Sequence, residues 1–271
     1  MITGTARLTR LGLRTGGIGL LLVVVLTAGL VTLIAGSITA LYGDAGERLR
    51  YAETIGTSPA SLAFNGRGYG LETIGGITAF EIGFIGQLLF PLLAVHVALR
   101  HTRREEEAGR TEVLTAGRVG RLAPLAAGKI LVAGVCLAIG VLMFAGLVAV
   151  GLPATGSAWY AAGIAVFMLF FGMVGLLLGQ LAQSARTAYL TGLAIITGAF
   201  MLRAVIDGMG WPALWLSPLG WLPEVRAFAE PQAWPLVAYA TGAVALLGLA
   251  VLIARGRDLG AGVLTPRPGP A

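Results

Sequence analysis

IGLLLVVVLTAGLVTLIAG, residues 18–36, runs through nineteen positions without a charged side chain or a proline. At about 1.5 Å of rise per residue such a helix measures about 28 Å, close to the ~30 Å hydrocarbon core of a bilayer. The apolar stretch extends from Gly16 to Leu41, and Arg7, Arg10 and Arg14 precede it. A cleaved secretory signal has a shorter apolar core, of about 7–15 residues, so the run reads as a first membrane span.

Five more runs follow the same pattern. The second spans Ile74–Leu99, the third Lys129–Gly151, the fourth Trp159–Leu181, the fifth Ala188–Met209 and the sixth Trp234–Ala254. Only 12% of the 271 residues are charged, against roughly 25% in a soluble domain. A chain so poor in charge cannot cover a water-facing surface, so hydrocarbon is its solvent along most of its length. Its 41 glycines lack the period of collagen and the polarity of a linker, and small residues are what closely packed membrane helices use. The sequence therefore predicts an all-α integral membrane protein with six transmembrane helices over residues 1–258, and a Pro/Gly-rich tail over 259–271.

The Lys and Arg residues sort by side. Arg7, Arg10, Arg14, Arg100, Arg103, Arg104, Arg110, Arg118, Arg121, Lys129, Arg186, Arg255, Arg257 and Arg267 fall on one face. Arg48, Arg50, Arg67, Arg203 and Arg226 fall on or toward the other. Cytoplasmic loops carry the excess of positive charge. Both termini and the hairpin after span two are thus expected in the cytoplasm of a bacterial cell, with the protein multi-pass in its cytoplasmic membrane. The net charge of +6 follows from this topology, and no nucleic-acid partner is expected.

Two loops carry detail. Residues 100–128 begin RHTRREEEAGRTEVLTAGRVGR, in which Thr102 and Glu105 have capping-box spacing and Glu106 and Arg110 stand four apart in the favourable order. A short polar helix along the cytoplasmic face is expected; a solvated hairpin that only anchors topology is the alternative. Residues 43–72 form a loop longer than a connector needs. Asp44 and Glu47 fit a helix cap there, Leu49, Ala52 and Ile55 suggest an interfacial helix, and Ser58-Pro59 and Asn65-Gly66 read as turns. Between spans five and six, MGWPALWLSPLGWLPEVRAFAEPQAW suits an interfacial or re-entrant hairpin, although an aromatic belt accounts for its tryptophans equally.

Catalytic and metal chemistry find little footing. No phosphate-binding G-x-x-x-x-G-K-[ST] occurs, since Gly128-Lys129 is followed by Ile130. His96 and His101 are the only histidines and make no zinc motif, no Gly-x-Ser-x-Gly elbow is present, and the single Cys136 sits in an apolar run. Glu81, Arg203 and Asp207 are ionisable groups in or near spans, where charge is costly and usually partnered. Glu81 lies about seven residues into span two and Arg203 about fifteen into span five, which puts both in the outer half. Pairing of Glu81 with Arg203 and Asp207 beside a transport path is expected; a structural ion pair or headgroup contact is the plainer alternative. Gly175 and Gly179 form a G-x-x-x-G that marks a possible close helix contact.

The hairpin RHTRREEEAGRTEVLTAGRVGR (100–121) resembles the first cytoplasmic loop of type-2 ABC exporter permeases. It is most similar to the actinobacterial polyketide-antibiotic and multidrug exporter group. YAETIGTSPASLAFNGRGYGLETIGGITAFEIGFIG (51–86) and SPLGWLPEVRAFAEPQAWPL (217–236) are similar to the same group. The resemblance implies a six-helix permease half whose coupling helix, between spans two and three, docks on a separate ABC ATP-binding subunit. Coupling to the ATPase would fall to Glu105, Glu106, Glu107, Gly109, Arg110, Glu112 and Leu114. ATP and Mg would sit on the partner, with no cofactor in this chain. The group usually joins two such halves in one chain, and RGRDLGAGVLTPRPGPA resembles the linker between them. A second half, from a copy of this chain or another one, or a truncated product, is therefore expected. The function implied is ATP-driven export of amphipathic compounds such as antibiotics. Lipid or glycan cargo, or an intramembrane enzyme or scaffold, are the alternatives.

Overall fold

A computed structural model of the chain describes residues 2–109 and 119–256. Among these residues it is helical without strands, and six of the helices are long and apolar enough to cross a membrane. The chain is an all-α, multi-pass membrane protein. The tail 259–271 lies outside the described residues.

The spans are α1 (Thr5–Leu41), α5 (Gly83–Arg100), α7 (Ala123–Ala149), α8 (Ala154–Leu181), α9 (Ala185–Gly208) and α10 (Trp234–Gly256). Short helices α2 (Ala45–Thr54), α3 (Pro59–Asn65), α4 (Ile74–Glu81) and α6 (Arg103–Glu107) lie between them. Several spans begin earlier than hydropathy alone suggests. A helix satisfies its own backbone on either side of the bilayer boundary, so α1 starts at Thr5 and α7 at Ala123, with Pro in its first turn.

Contacts at small residues fix the topology. Positions 4, 12 and 36 of α1 and its entry face positions 119, 131 and 150, so the first and third spans run parallel. On α8, Gly175 lies against Val95 and Ala98, and Gly179 against Leu99 and Thr102, so the second and fourth are parallel too. Gly128 and Gly140 meet Leu176 and Ala165, which makes α7 and α8 antiparallel. One face therefore gathers the α1 start, Arg100–Gly109, Val119–Arg121 and Gln183–Arg186; it is called the basic face below. The opposite face carries α2, α3 and α4 as a cap.

Helix α8 occupies the centre, packed by α5, α7, α9 and α10. The G-x-x-x-G expected to mark a close contact does so: a Cβ on Gly175 would stand 2.9 Å from Ala98 Cβ and 3.0 Å from Val95 Cα. Lipid tails are as apolar as leucine, so association rests on such close packing. Phe167 and Phe170 of α8 meet Tyr239 of α10 with ring centroids 5.5 and 5.7 Å apart, and each also packs edge-on against Phe171 of the same helix. Ile18, Leu33 and Val244, each at least 70% exposed, project outward as lipid-facing side chains do.

The second span differs from the single run read over Ile74–Leu99. It is interrupted at Ile82, and α4 belongs to the cap while α5 crosses. A close backbone contact lies at the interruption. The carbonyl of Asn65, at the end of α3, reaches the helix at Gly83, where only a residue without Cβ leaves room.

The segment after α9 is re-entrant. It forms three 3₁₀ turns, Leu214–Leu216, Pro218–Trp221 and Pro223–Val225. Ser217 Oγ donates to the Ala199 carbonyl at 2.8 Å, about 14 Å below the end of α9 at the helical rise. Tyr239 Oη donates to the Pro218 carbonyl at 2.5 Å. Trp211, Trp215 and Trp234 remain exposed around it.

Candidate functional site

On the basic face the segment after α5 turns inward. Thr102 does not cap α6 as the spacing with Glu105 suggested; its hydroxyl donates back to the Ala98 carbonyl at 2.7 Å. Arg103 is buried, at 1% exposure. Its guanidinium donates to the Gln183 carbonyl in the α8–α9 turn and faces Glu106 Oε2 at 3.1 Å. Glu107 Oε1 accepts the Ala185 backbone N–H at 2.7 Å. That N–H belongs to the first turn of α9, where donors lack intrahelical partners and the helix dipole favours negative charge. Ser184 completes the cap by accepting from Thr187 N at 3.0 Å.

Of the seven expected coupling residues, Glu106 and Glu107 thus engage this chain itself. Glu105 is half-buried, and Gly109 ends α6 with φ +70°, a conformation glycine adopts without strain. Arg110, Glu112 and Leu114 lie outside the described residues. Arg104 and Glu107 are exposed on α6, and Ala108 just beyond it is exposed too.

On the capped face, Arg203 and Asp207 are brought together and Glu81 is placed elsewhere. Arg203 is fully buried. Its Nη1 and Nη2 donate to the carbonyls of Leu62 (3.1 Å) and Phe64 (2.9 Å) at the α3 C-terminus, where a cation suits the helix dipole. Its guanidinium also lies 4.6 Å from the Phe200 ring centre. Asp207 lies 3.5 Å from Arg203 Nη1 and 3.2 Å from Arg67 Nε, and Arg67 Nη2 donates to the Trp211 carbonyl at 2.7 Å. Glu81 instead accepts the Tyr51 hydroxyl from α2. The expected pairing therefore forms without Glu81, because the break at Ile82 leaves that carboxylate in the cap. Burial, reinforced by Glu81, raises the Tyr51 pKa above its usual value.

A second polar group ties the cap to the re-entrant segment. Tyr69 donates to Glu224, and Arg226 pairs with Glu224 at 2.8 Å while its guanidinium stacks 4.3 Å from the Tyr69 ring centre. Burial and the Glu224 carboxylate raise the Tyr69 pKa, and the Glu224 hydrogen bond raises that of Arg226. Arg67, Tyr69, Tyr51, Arg103 and Glu224 were not singled out in the sequence. The signal available for Arg67 was its place among the few basic residues on the arginine-poor face.

A cleft of about 550 Å³ opens beside this cap. Its walls come from Thr39 at the end of α1, the α4 start, the α7–α8 turn and Phe228. Among the described residues no group of His, Cys, Asp and Glu is arranged to hold a metal ion, and Cys136 is buried without a disulfide partner.

Six crossing helices, a polar segment folded under them on one face and a helical cap on the other make this an all-α, multi-pass membrane protein. The chain is 34% identical over 268 residues, 98% of its length, to the multidrug efflux system permease protein Rv1217c of Mycobacterium tuberculosis. The chain spans about half (48%) of that relative. No protein-family model matches the chain. By sequence it is therefore similar to an efflux permease along nearly its whole length.

Proposed function

We propose that this chain is one membrane half of an ATP-driven exporter of amphipathic compounds such as antibiotics. The observation that carries the reading is the 34% identity over 98% of the chain to a multidrug efflux permease. The basic face lies in the cytoplasm of a bacterial cell, by the excess of Arg and Lys there. Residues 100–128 dock on a separate ABC ATP-binding subunit, through Arg104 and the residues that follow Gly109. ATP and Mg belong to that subunit, and this chain is not itself an enzyme. A second six-helix half, from another copy or another chain, completes the path. Few charges line the spans, which fits cargo held by apolar helix faces.

The test is co-purification from membranes with the ATP-binding subunit, followed by drug-stimulated ATP hydrolysis. The expected result is a stable complex that Arg104→Glu weakens. Topology supplies the opposing outcome. The only native cysteine, Cys136, is buried at 4% exposure, so a reporter Ala108→Cys labels against a quiet background. Its labelling from outside intact cells by a membrane-impermeant maleimide would overturn the reading.

A further inference from the structure

Helix α9 is held at both ends by side chains from other parts of the fold. At the basic face Glu107 accepts its Ala185 N–H at 2.7 Å, and Arg103 grips the preceding Gln183 carbonyl. At the capped face Arg203 and Asp207, one turn apart on α9, hold α3 through Leu62 and Phe64 and hold Arg67 directly. Arg203 and Asp207 are 0% and 2% exposed. α9 as a whole runs for 24 residues without proline or interruption, about 36 Å of continuous helix, and the two grips lie near its two ends.

The covalent route between the same two places is weaker mechanically. α6 continues from α5, yet α5 carries Pro91 and ends at the Ile82 interruption before the cap begins. A proline removes a helical hydrogen bond, so α5 is the less regular of the two helices. α9 also has an apolar outer surface, with Leu190, Leu193, Ile195, Met201, Leu202 and Val205 exposed, so on that side no other part of this chain holds it.

We propose that α9 is the rod that carries displacement of α6 across the membrane to the cap, with Glu107 and Arg103 as positioning residues at one end and Arg203 and Asp207 at the other. The proposal rests on the reading of α6 as the element that docks on the ATPase. A pull on α6 shifts the first turn of α9 through its capped N–H, and the buried ions at the far end move α3 and Arg67 with it. The cap then opens or closes in step with the partner subunit.

The experiment uses the full chain assembled with its ATP-binding subunit and second half in nanodiscs, with Cys136→Ala as background. One spin-label pair joins Ala108→Cys on α6 to Leu13→Cys on α1. The other joins Ala60→Cys on α3 to Leu41→Cys on α1. All four positions are exposed. A non-hydrolysable ATP analogue is expected to shift both distances. Glu107→Ala is expected to keep the α6 shift and lose the α3 shift. Glu107→Gln, whose amide oxygen still accepts the Ala185 N–H, is expected to keep both. Retention of the α3 shift in Glu107→Ala, or an α6 shift without an α3 shift in the unaltered protein, would overturn the rod and leave the docking reading intact. Absence of both shifts in the unaltered protein would overturn the docking reading and the rod with it.

Discussion

The carbonyl oxygen of Asn65 lies 1.9 Å from where a Cβ on Gly83 would stand. This contact seats the end of α3 in the interruption of the second span and so fixes the cap on the bundle. Gly83→Ala forces two backbones apart, because neither contact atom belongs to a flexible side chain. Overpacking of this kind costs about 1–3 kcal/mol. We expect a clear drop in the thermal midpoint of the purified protein in detergent, measured by intrinsic fluorescence. The same substitution at Gly17, which has open space around it, is expected to change the midpoint little. Equal midpoints for the two variants would remove Gly83 from the seating of the cap.

That contact also shows where the sequence was legible. Runs such as residues 18–36 announce their spans because lipid demands long apolar segments, and the arginines announce which ends share a face. The Asp44 cap was equally readable, and Asp44 Oδ2 does accept from Gly46 N at 2.6 Å and Glu47 N at 3.2 Å. The break at Ile82 was not readable, because Asn65, which meets the helix at Gly83, comes from eighteen positions before that glycine. Which side of α2 meets the bundle was not readable either. Leu49 is 54% exposed while Tyr51 is buried, since the cap buries the residue that reaches Glu81 rather than the most apolar one. The ion cluster was half legible: depth along the spans joined Arg203 to Asp207, but only the folded loop brings Arg67 to them.

The buried ions make a prediction about partners rather than about charge as such. Asp207→Ala leaves Arg203 buried without its carboxylate and removes the ionic partner of Arg67. Breaking one side of a buried pair costs about 3–5 kcal/mol, whereas replacing both sides by apolar groups is often neutral. Asp207→Ala is therefore expected to lower stability strongly. The double variant Arg203→Met with Asp207→Leu is expected to recover part of that loss, although the α3 carbonyls lose their donor. Denaturation with increasing sodium dodecyl sulfate, followed by tryptophan fluorescence, measures both. A double variant less stable than the unaltered protein by the sum of the two separate losses would mean that the pair is not coupled.

Phe228 supplies a packing test on the re-entrant segment. A Cβ on Gly156 would lie 2.4 Å from Phe228 Cδ1, and one on Gly75 would lie 2.2 Å from the same atom. The ring is wedged between the first turns of α4 and α8. Gly156→Ala is expected to be destabilising by about 1–3 kcal/mol, and Phe228→Ala is expected to be destabilising on its own through the gap it leaves. Combined, the two are expected to cost less than their sum, because the smaller side chain at 228 removes the clash at 156. A double-mutant cycle on thermal midpoints reads this directly, and strict additivity would mean that the ring and Gly156 do not touch.

The cap should weaken at alkaline pH, and the sign follows from the tyrosines. Tyr69 and Tyr51 both have pKa values raised above the ordinary tyrosine value, first by burial and then by the carboxylates of Glu224 and Glu81. Below about pH 10 each is protonated whether the protein is folded or unfolded, so their contribution to stability is fully present. As pH rises through that ordinary value, the unfolded chain begins to lose the proton while the folded one keeps it. The unfolded state is then favoured until the folded pKa is reached. The phenolate would face an adjacent carboxylate, which explains why the folded protein resists ionisation. Thermal midpoints are therefore expected to be flat from pH 7 to about pH 9 and to fall above about pH 10. Tyr69→Phe cannot ionise, so it is expected to start lower, having lost its hydrogen bond to Glu224, and to fall less steeply. A Tyr69→Phe variant with the same alkaline slope as the unaltered protein would place the pH sensitivity elsewhere in the chain.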